Sequence, residues 1–303
     1  MHEVAMAYER LSDRFVRWAQ AEDNIRAAIV IGSRARTDHP ADEWSDLDVI
    51  ILANDPESYW ASADWLHNVG VPWLTFIEPL PDGSGFERRV LFEGGLDVDF
   101  APDPVAPFRR MLDEGHFGGL LADLIRRGVR FLVDKEGFAK RLEQIPTVPP
   151  PYKPPTEPEF LNLVHDFWYH TVWTAKKLRR GELWTAKSCC DSYLKQLLRR
   201  MLEWHTRARR GASIDTWMRG RFLEAWADPR AVAALPKVFA HYDEADVWRA
   251  LLATMALFHW LALETAEALG YTYPSFGEDR AVEIVEHLHT NAHTNEEVTE
   301  LPA

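Results

Sequence analysis

The run Ala27-Ala-Ile-Val-Ile31 is apolar, short, and broken at once by Gly32-Ser33. A run of this length suits a strand buried on both faces. At its end, glycine allows a close backbone approach, and serine offers an amide and a hydroxyl to an anion. Twelve residues, with the turn formers Thr37, Asp38, Pro40 and Asp42 among them, separate Ser33 from Asp46-Leu-Asp-Val-Ile-Ile-Leu52. In this second strand, alternation puts Asp46 and Asp48 on one face and turns Leu47, Val49 and Ile51 toward a core. Two adjacent carboxylates repel unless a cation lies between them. A hard divalent ion, Mg²⁺ above all, answers that need in a site that handles phosphates. A bare Asp-x-Asp is common on solvated surfaces. One opening a strand just after a Gly-Ser strand end is far more specific.

A third acid follows. Beyond the turn-rich Pro81-Asp-Gly-Ser-Gly85 comes Glu87-Arg-Arg-Val-Leu-Phe-Glu-Gly-Gly-Leu-Asp97-Val-Asp99-Phe100, a hairpin-like run whose last strand carries Asp97 and Asp99 on one face. A sheet that brings this strand beside the second would complete a carboxylate triad. Either acid fits by alternation.

The chain has 303 residues, 47% of them hydrophobic, enough for a sizeable core and for two domains. Helices are expected over 3–22, 57–68, 104–114, 117–127 and up to about 144, and further strands over 73–77, 90–92, 96–100 and 129–133. This interleaving reads as an α/β or α+β domain with a mixed sheet over 1–145. The segment 146–158, with seven prolines, reads as an extended linker. From 159 to 290 the pattern is helical, over 158–180, 184–209, 214–226, 229–241, 244–269 and 278–289, with a polar, frayed tail over 291–303.

The formal charge of −13 disfavours a nucleic-acid partner and suits a cationic small molecule. Cys189 and Cys190 are adjacent, without loop-closing or metal spacing, as expected in a reducing cytoplasm. The longest apolar stretch, Leu251 to Leu263, is too short to span a membrane. Walker-A, Rossmann, HExxH and zinc spacings are absent.

Gly-Ser, a spacer, Asp-x-Asp and a later acid between apolar residues resemble the nucleotidyltransferase superfamily of DNA polymerase beta. Further along, Asp166-Phe-Trp-Tyr, Ala175-Lys-Lys-Leu-Arg-Arg-Gly-Glu182, Ala186-Lys187, Met201-Leu-Glu-Trp204, Gly220-Arg-Phe-Leu and Tyr271-Thr-Tyr-Pro resemble, in order, the signatures of the aminoglycoside 6-adenylyltransferases. The resemblance covers about residues 1–289. It implies an α+β fold, a polymerase-beta-like mixed sheet with helices followed by an all-α bundle. It also implies transfer of AMP from ATP to a hydroxyl of streptomycin, with two Mg²⁺ ions.

On that resemblance Asp46 and Asp48 hold both ions, and Asp99 holds the first or acts as general base. Asp99 is preferred to Asp97 because the family's third acid aligns there. Gly32 and Ser33 bind the triphosphate, and Arg34 adds a phosphate contact or is a solvated surface group. Lys176, Lys187 and Arg221 fall where the family keeps bases for the β- and γ-phosphates. Asp166, with Asp191 a weaker candidate, would bind a cationic group of the acceptor, and Trp168 would stack on it. Trp204, Trp226, Trp248 and Trp260 read as packing.

The chain departs from the family in two places. His165-Asp166 replaces Asn-Glu, and Phe100-Ala-Pro-Asp-Pro104 replaces an apolar-Thr-apolar run. Two other readings therefore stand: a nucleotidyltransferase for another acceptor, such as a lincosamide or a protein side chain, and a non-catalytic nucleotide-binding regulator.

Overall fold

The computed structural model describes residues 2–36, 38–80, 85–115, 117, 119–145 and 152–296. Its chain divides into two compact units, 1–150 and 151–303, and the division falls inside the proline-rich segment. Residues 146–151 of that segment and 297–303 of the tail lie outside the described residues.

In the first unit, α1 (His2–Ala21) leads into β1 (Ile25–Ile31). Its residues Tyr8, Leu11, Phe15 and Ala19, three or four apart, are all buried, as an amphipathic helix requires. After β2 (Leu47–Ala53) comes the short α2 (Glu57–Ala61), then a 3-10 turn over Asp64–Asn68. The single helix expected over 57–68 is thus broken. Ser62 is extended, and its hydroxyl accepts the Asp64 amide at 3.0 Å. Next come β3 (Pro72–Pro79), β4 (Phe86–Phe92), β5 (Leu96–Pro104), α3 (Val105–Glu114), α4 (Gly119–Arg127), β6 (Arg130–Asp134) and α5 (Phe138–Leu142).

The sheet runs β3-β4-β5-β2-β1-β6 among the described residues, and only its central pair, β2 and β5, is parallel. Both faces are packed. Leu47, Val49 and Ile51 join Val98, Phe100 and α1 in one core, while Ile50 and Leu52 join Phe108, Leu112 and Phe138 in the other. The run Phe100-Ala-Pro-Asp-Pro104 stays in β5, paired with β2 as far as Ala53↔Pro104.

The second unit is helical. α6 (Glu157–Arg179) starts at a capping box in which the Glu159 amide donates to Thr156 Oγ1 and the Thr156 amide donates to Glu159. The helix expected over 184–209 contains a π turn. α7 (Leu183–Ser188) passes through Cys189–Tyr193 into α8 (Leu194–Arg210), with the Leu194 amide bonded to the Cys189 carbonyl. Lys195 Nζ secures the turn, donating to the Cys190 carbonyl at 2.8 Å and to Thr254 Oγ1 at 2.9 Å.

The helix expected over 214–226 is reduced to a 3-10 turn at Met218–Gly220 and α9 (Leu223–Trp226). Trp217, Arg219 and Phe222 all take positive φ, which ends helical propagation. α10 (Pro229–Val238), α11 (Glu244–Leu269) and α12 (Ser275–Glu296) follow, so the segment expected to fray from 291 is helical to Glu296. Phe167 on α6 stacks face to face on Phe258 of α11, 3.6 Å between centroids, in the middle of this core.

Candidate active site

The loop after β1 and the first residues of β2 and β5 meet at one end of the sheet. Parallel pairing sets Asp48 level with Asp99. These acids share the sheet face that continues as Ile50 and Ala101, so they stand at the end of the core on that face. One carboxylate oxygen each from Asp46, Asp48 and Asp99 lie within 4.8 Å of one another. Asp97, the other candidate third acid, is exposed and outside this cluster.

Gly32 opens a 3-10 turn, Gly32–Arg34, with φ +70°. A Cβ on it would fall 2.3 Å from Asp48 Oδ2, so the backbone reaches the acid only because this residue has no side chain. Ser33 beside it is buried, and its hydroxyl has no hydrogen-bond partner among the described residues.

The acids are held at a cost. Burial first, then the charges of Asp46 and Asp99, push the Asp48 carboxyl up to about 7. Burial also pushes Asp99 up to about 7, against the pull of the Arg89 guanidinium. Arg89 Nη1 lies 2.9 Å from Asp99 Oδ2, while Asp99 Oδ1 is buried without a partner. The orphaned Oδ1, the buried Ser33 hydroxyl and a purely oxygen donor set fit a hard divalent cation with a phosphate beside it.

Arg89 was not singled out from the sequence, although its signal was present. The Glu93-Gly94-Gly95 turn sets Phe92 opposite Leu96, and counting back along the hairpin puts Arg89 opposite Asp99. Tyr8 was also missed. Its hydroxyl accepts the Asp97 amide at 3.1 Å, and Arg34 lies over its ring at 3.5 Å.

Arg34 is not a solvated surface group: it is partly buried and anchored to the main chain by part of its donor set. Its Nε donates to the Asp46 carbonyl at 2.9 Å and its Nη2 to the Ser45 carbonyl at 2.6 Å, pinning the chain just ahead of Asp48. Trp168 corrects a second expectation. It is 4% exposed, packs edge-on to Phe167 and Phe258, and donates to Tyr273 Oη at 3.1 Å, so it presents no face to an acceptor.

Asp166 is partly exposed, 2.7 Å from His170 Nδ1, and accepts the Tyr193 hydroxyl at 3.0 Å. Lys176 and Arg221 are exposed in the second unit. Lys187 is paired with Asp191 at 2.5 Å, and Asp191 also accepts the Ala240 amide, which makes it part of the scaffold. Trp226 and Trp248 are buried in the helical core, with Trp204 and Trp260 packed against it.

A glycine-serine turn set against three clustered carboxylates on a mixed sheet is the site of a nucleotidyltransferase. A family model for streptomycin adenylyltransferase matches residues 6–290. The chain belongs to that family. It is 25% identical over 277 residues to an aminoglycoside 6-adenylyltransferase of Bacillus subtilis (strain 168), covering 89% of this chain and 94% of that one. It is 24% identical over 272 residues to the enzyme of the same name from Campylobacter jejuni, covering 88% and 90%. The crystal structure of an aminoglycoside 6-adenyltransferase from Bacillus subtilis aligns over 91% of this chain and 96% of its own, with 21% identity and a TM-score of 0.45. Among the described residues, no helix is long and apolar enough to cross a membrane.

Proposed function

We propose that the protein transfers AMP from ATP to a hydroxyl of a streptomycin-like aminoglycoside, at the 6-position, and releases pyrophosphate. The observation that carries this is the cluster of Asp46, Asp48 and Asp99 oxygens within 4.8 Å. The acceptor class is supported by relatives named aminoglycoside 6-adenylyltransferase along nearly the whole chain.

In the reaction the acceptor oxygen bonds to the α-phosphorus, the bond from that phosphorus to the pyrophosphate oxygen breaks, and the hydroxyl proton leaves. Asp46 and Asp48 would hold two divalent ions and Asp99 the first of them. When bound, such ions polarise the α-phosphate and neutralise the leaving pyrophosphate. Asp99, with Oδ2 fixed by Arg89 and Oδ1 unpartnered, is also the group able to accept the hydroxyl proton. Gly32 lets the backbone amides approach the triphosphate, and the Ser33 hydroxyl donates to it. Lys176 and Lys187 bind its β- and γ-oxygens, and Asp166 takes a cationic group of the acceptor. Both cysteines are free and buried, which suits a cytoplasmic enzyme.

His165-Asp166 in place of the family's Asn-Glu, with its carboxylate already held by His170 and Tyr193, favours a second reading, another acceptor on the same nucleotidyl-transfer site. A non-catalytic regulator would have no need of three mutually repelling acids. Incubation with labelled ATP, Mg²⁺ and an antibiotic panel tests both readings. Streptomycin heavier by one AMP, with pyrophosphate released, is the expected result. AMP on a different acceptor alone selects the second reading, and no transfer to any acceptor rejects both.

A further inference from the structure

β3 is an edge strand of the sheet, paired with β4 on one side and with no strand on the other among the described residues. An open edge is a template for a further strand, and proteins guard such edges with lysines, prolines or a covering segment. Between its end prolines β3 carries one charge, Glu78, and that is drawn back to Arg89 at 2.5 Å. Trp73, Leu74, Phe76 and Ile77 are 42–66% exposed. From Leu74 to Pro79 the ladder with β4 is regular, so successive side chains point to opposite faces and both faces of the edge are apolar. With the exposed Val71 and Phe86 nearby, roughly 600 Å² of large apolar side chain is left in water, at or above the upper end of a monomer's usual largest patch.

A second copy of this chain supplies a matching strand. Two β3 strands related by a two-fold axis perpendicular to the sheet run antiparallel and keep every residue on its own face, so only positions of the same parity can meet. Centred on Thr75, the pairing sets Thr75 opposite itself, Leu74 opposite Phe76 of the second copy, and Ile77 opposite Trp73. Phe76 is level with Arg89, and Arg89 with Asp99, so Leu74 and Phe76 meet on the face of the acids. Ile77, level with Arg88, serves the other face. Every large apolar side chain of the strand thus gains an apolar partner. Centring on Phe76 would set Leu74 against Glu78, and centring on Leu74 would set Phe76 against Pro72. Pro72 and Pro79, which have no amide to donate, mark the ends of the pairing.

We infer that the protein pairs with a second copy of itself, edge to edge through β3, with Thr75 on the two-fold axis. The two six-stranded sheets then run on as one. Because the contact is isologous it closes on itself, and the β3 edges of both copies are occupied in a dimer instead of propagating a fibre. The exposed apolar area is comparable with the apolar share of a standard interface of about 800 Å² per partner.

Sedimentation velocity of the full chain at rising micromolar concentration reads the association, with thermal melts as a folding control. Wild type is expected to be a dimer. Leu74→Lys and Ile77→Lys, both at exposed positions, should weaken it by about tenfold or more. A cysteine arm reads the register. Directly opposite residues of antiparallel strands have Cα atoms about 4.5–5.5 Å apart, within reach of a disulfide. The native Cys189 and Cys190 are buried. Oxidation with glutathione disulfide should therefore couple Thr75→Cys into a covalent dimer on a denaturing gel and leave Ile77→Cys uncoupled. A wild type that stays monomeric overturns the inference, as does a dimer that both lysine variants leave intact. A dimer in which Thr75→Cys stays uncoupled, or in which Ile77→Cys couples equally well, overturns it too.

Discussion

The Gly32 backbone lies so near the Asp48 carboxylate that no side chain fits between them. A single methyl group on Gly32 would lie 2.3 Å from Asp48 Oδ2, at a φ of +70° that L-residues rarely adopt. Gly32→Ala should therefore displace the acid or the turn. We expect kcat/KM to fall by about a hundredfold or more, with a lowered melting temperature. Steady-state kinetics beside a thermal melt measure both, and near-normal activity would refute the close approach.

The charge repulsion at the site gives a pH dependence of definite sign. Asp48 and Asp99 carry carboxyls raised to about 7, above their unfolded value near 4. Below that value both states are protonated and no penalty exists. As pH rises the folded state must give up protons it holds more tightly, so stability falls and the loss is complete above about 7. With chelator present, Asp48→Asn should be more stable than wild type at pH 8, by about 1–3 kcal/mol, and equal to it near pH 4. Mg²⁺ should stabilise wild type and leave the variant nearly unaffected. Urea melts across this range provide the comparison.

Arg34 can be told apart from a phosphate ligand by kinetics. Its guanidinium holds the Ser45 and Asp46 carbonyls, so Arg34→Ala should loosen the acidic loop and lower kcat. The Michaelis constant for ATP should change by about twofold or less. A large rise in that constant with kcat preserved would restore the phosphate role.

Asp166→Asn keeps the shape of the side chain and removes its charge. The Michaelis constant for streptomycin should rise by about tenfold, and added salt should weaken acceptor affinity more in wild type than in the variant. ATP kinetics serve as the internal control. Unchanged antibiotic kinetics would remove Asp166 from the acceptor site.

Trp168→Ala should behave as a core truncation. Its ring is enclosed by Phe167, Phe258 and Tyr273, and the loss should cost about 3–5 kcal/mol in urea melts. If the variant folds, its Michaelis constants should be near normal.

Much of the site was legible because it follows from local rules. The apolar run ending in Gly32-Ser33 and the alternation at Asp46 and Asp48 fix two strands and the face of the acids. What alternation alone left open between Asp97 and Asp99 is decided in space by the register Asp48↔Asp99, a pairing between segments far apart in the chain. The roles of Arg34 and Trp168 were not legible for a different reason. Arg34 is bonded to main-chain carbonyls, which no side-chain pattern announces. Trp168 lies beside Asp166 in sequence, and two positions apart on a helix means different faces. The π turn was hidden because one additional residue barely disturbs a hydrophobic pattern read over a long window. The irregular stretch 214–226 depends on left-handed conformations at Trp217, Arg219 and Phe222, residue types that give no warning of them.

That additional residue is taken up locally by the wide turn. Each residue of an α-helix turns the chain by about 100° and advances it about 1.5 Å. Deleting one position between Cys189 and Tyr193 would let α7 and α8 merge into a continuous α-helix, and because the π turn spreads its extra residue over one wider turn, Trp184 and Lys187 would keep nearly their present facing relative to Leu197 and Leu198. Of two otherwise similar chains, the one lacking this residue would lose the bulge at Cys189–Tyr193 while α7 and α8 keep their facing. The length of this stretch, counted residue by residue, therefore decides whether the helix bulges here, independently of which side chains α7 displays.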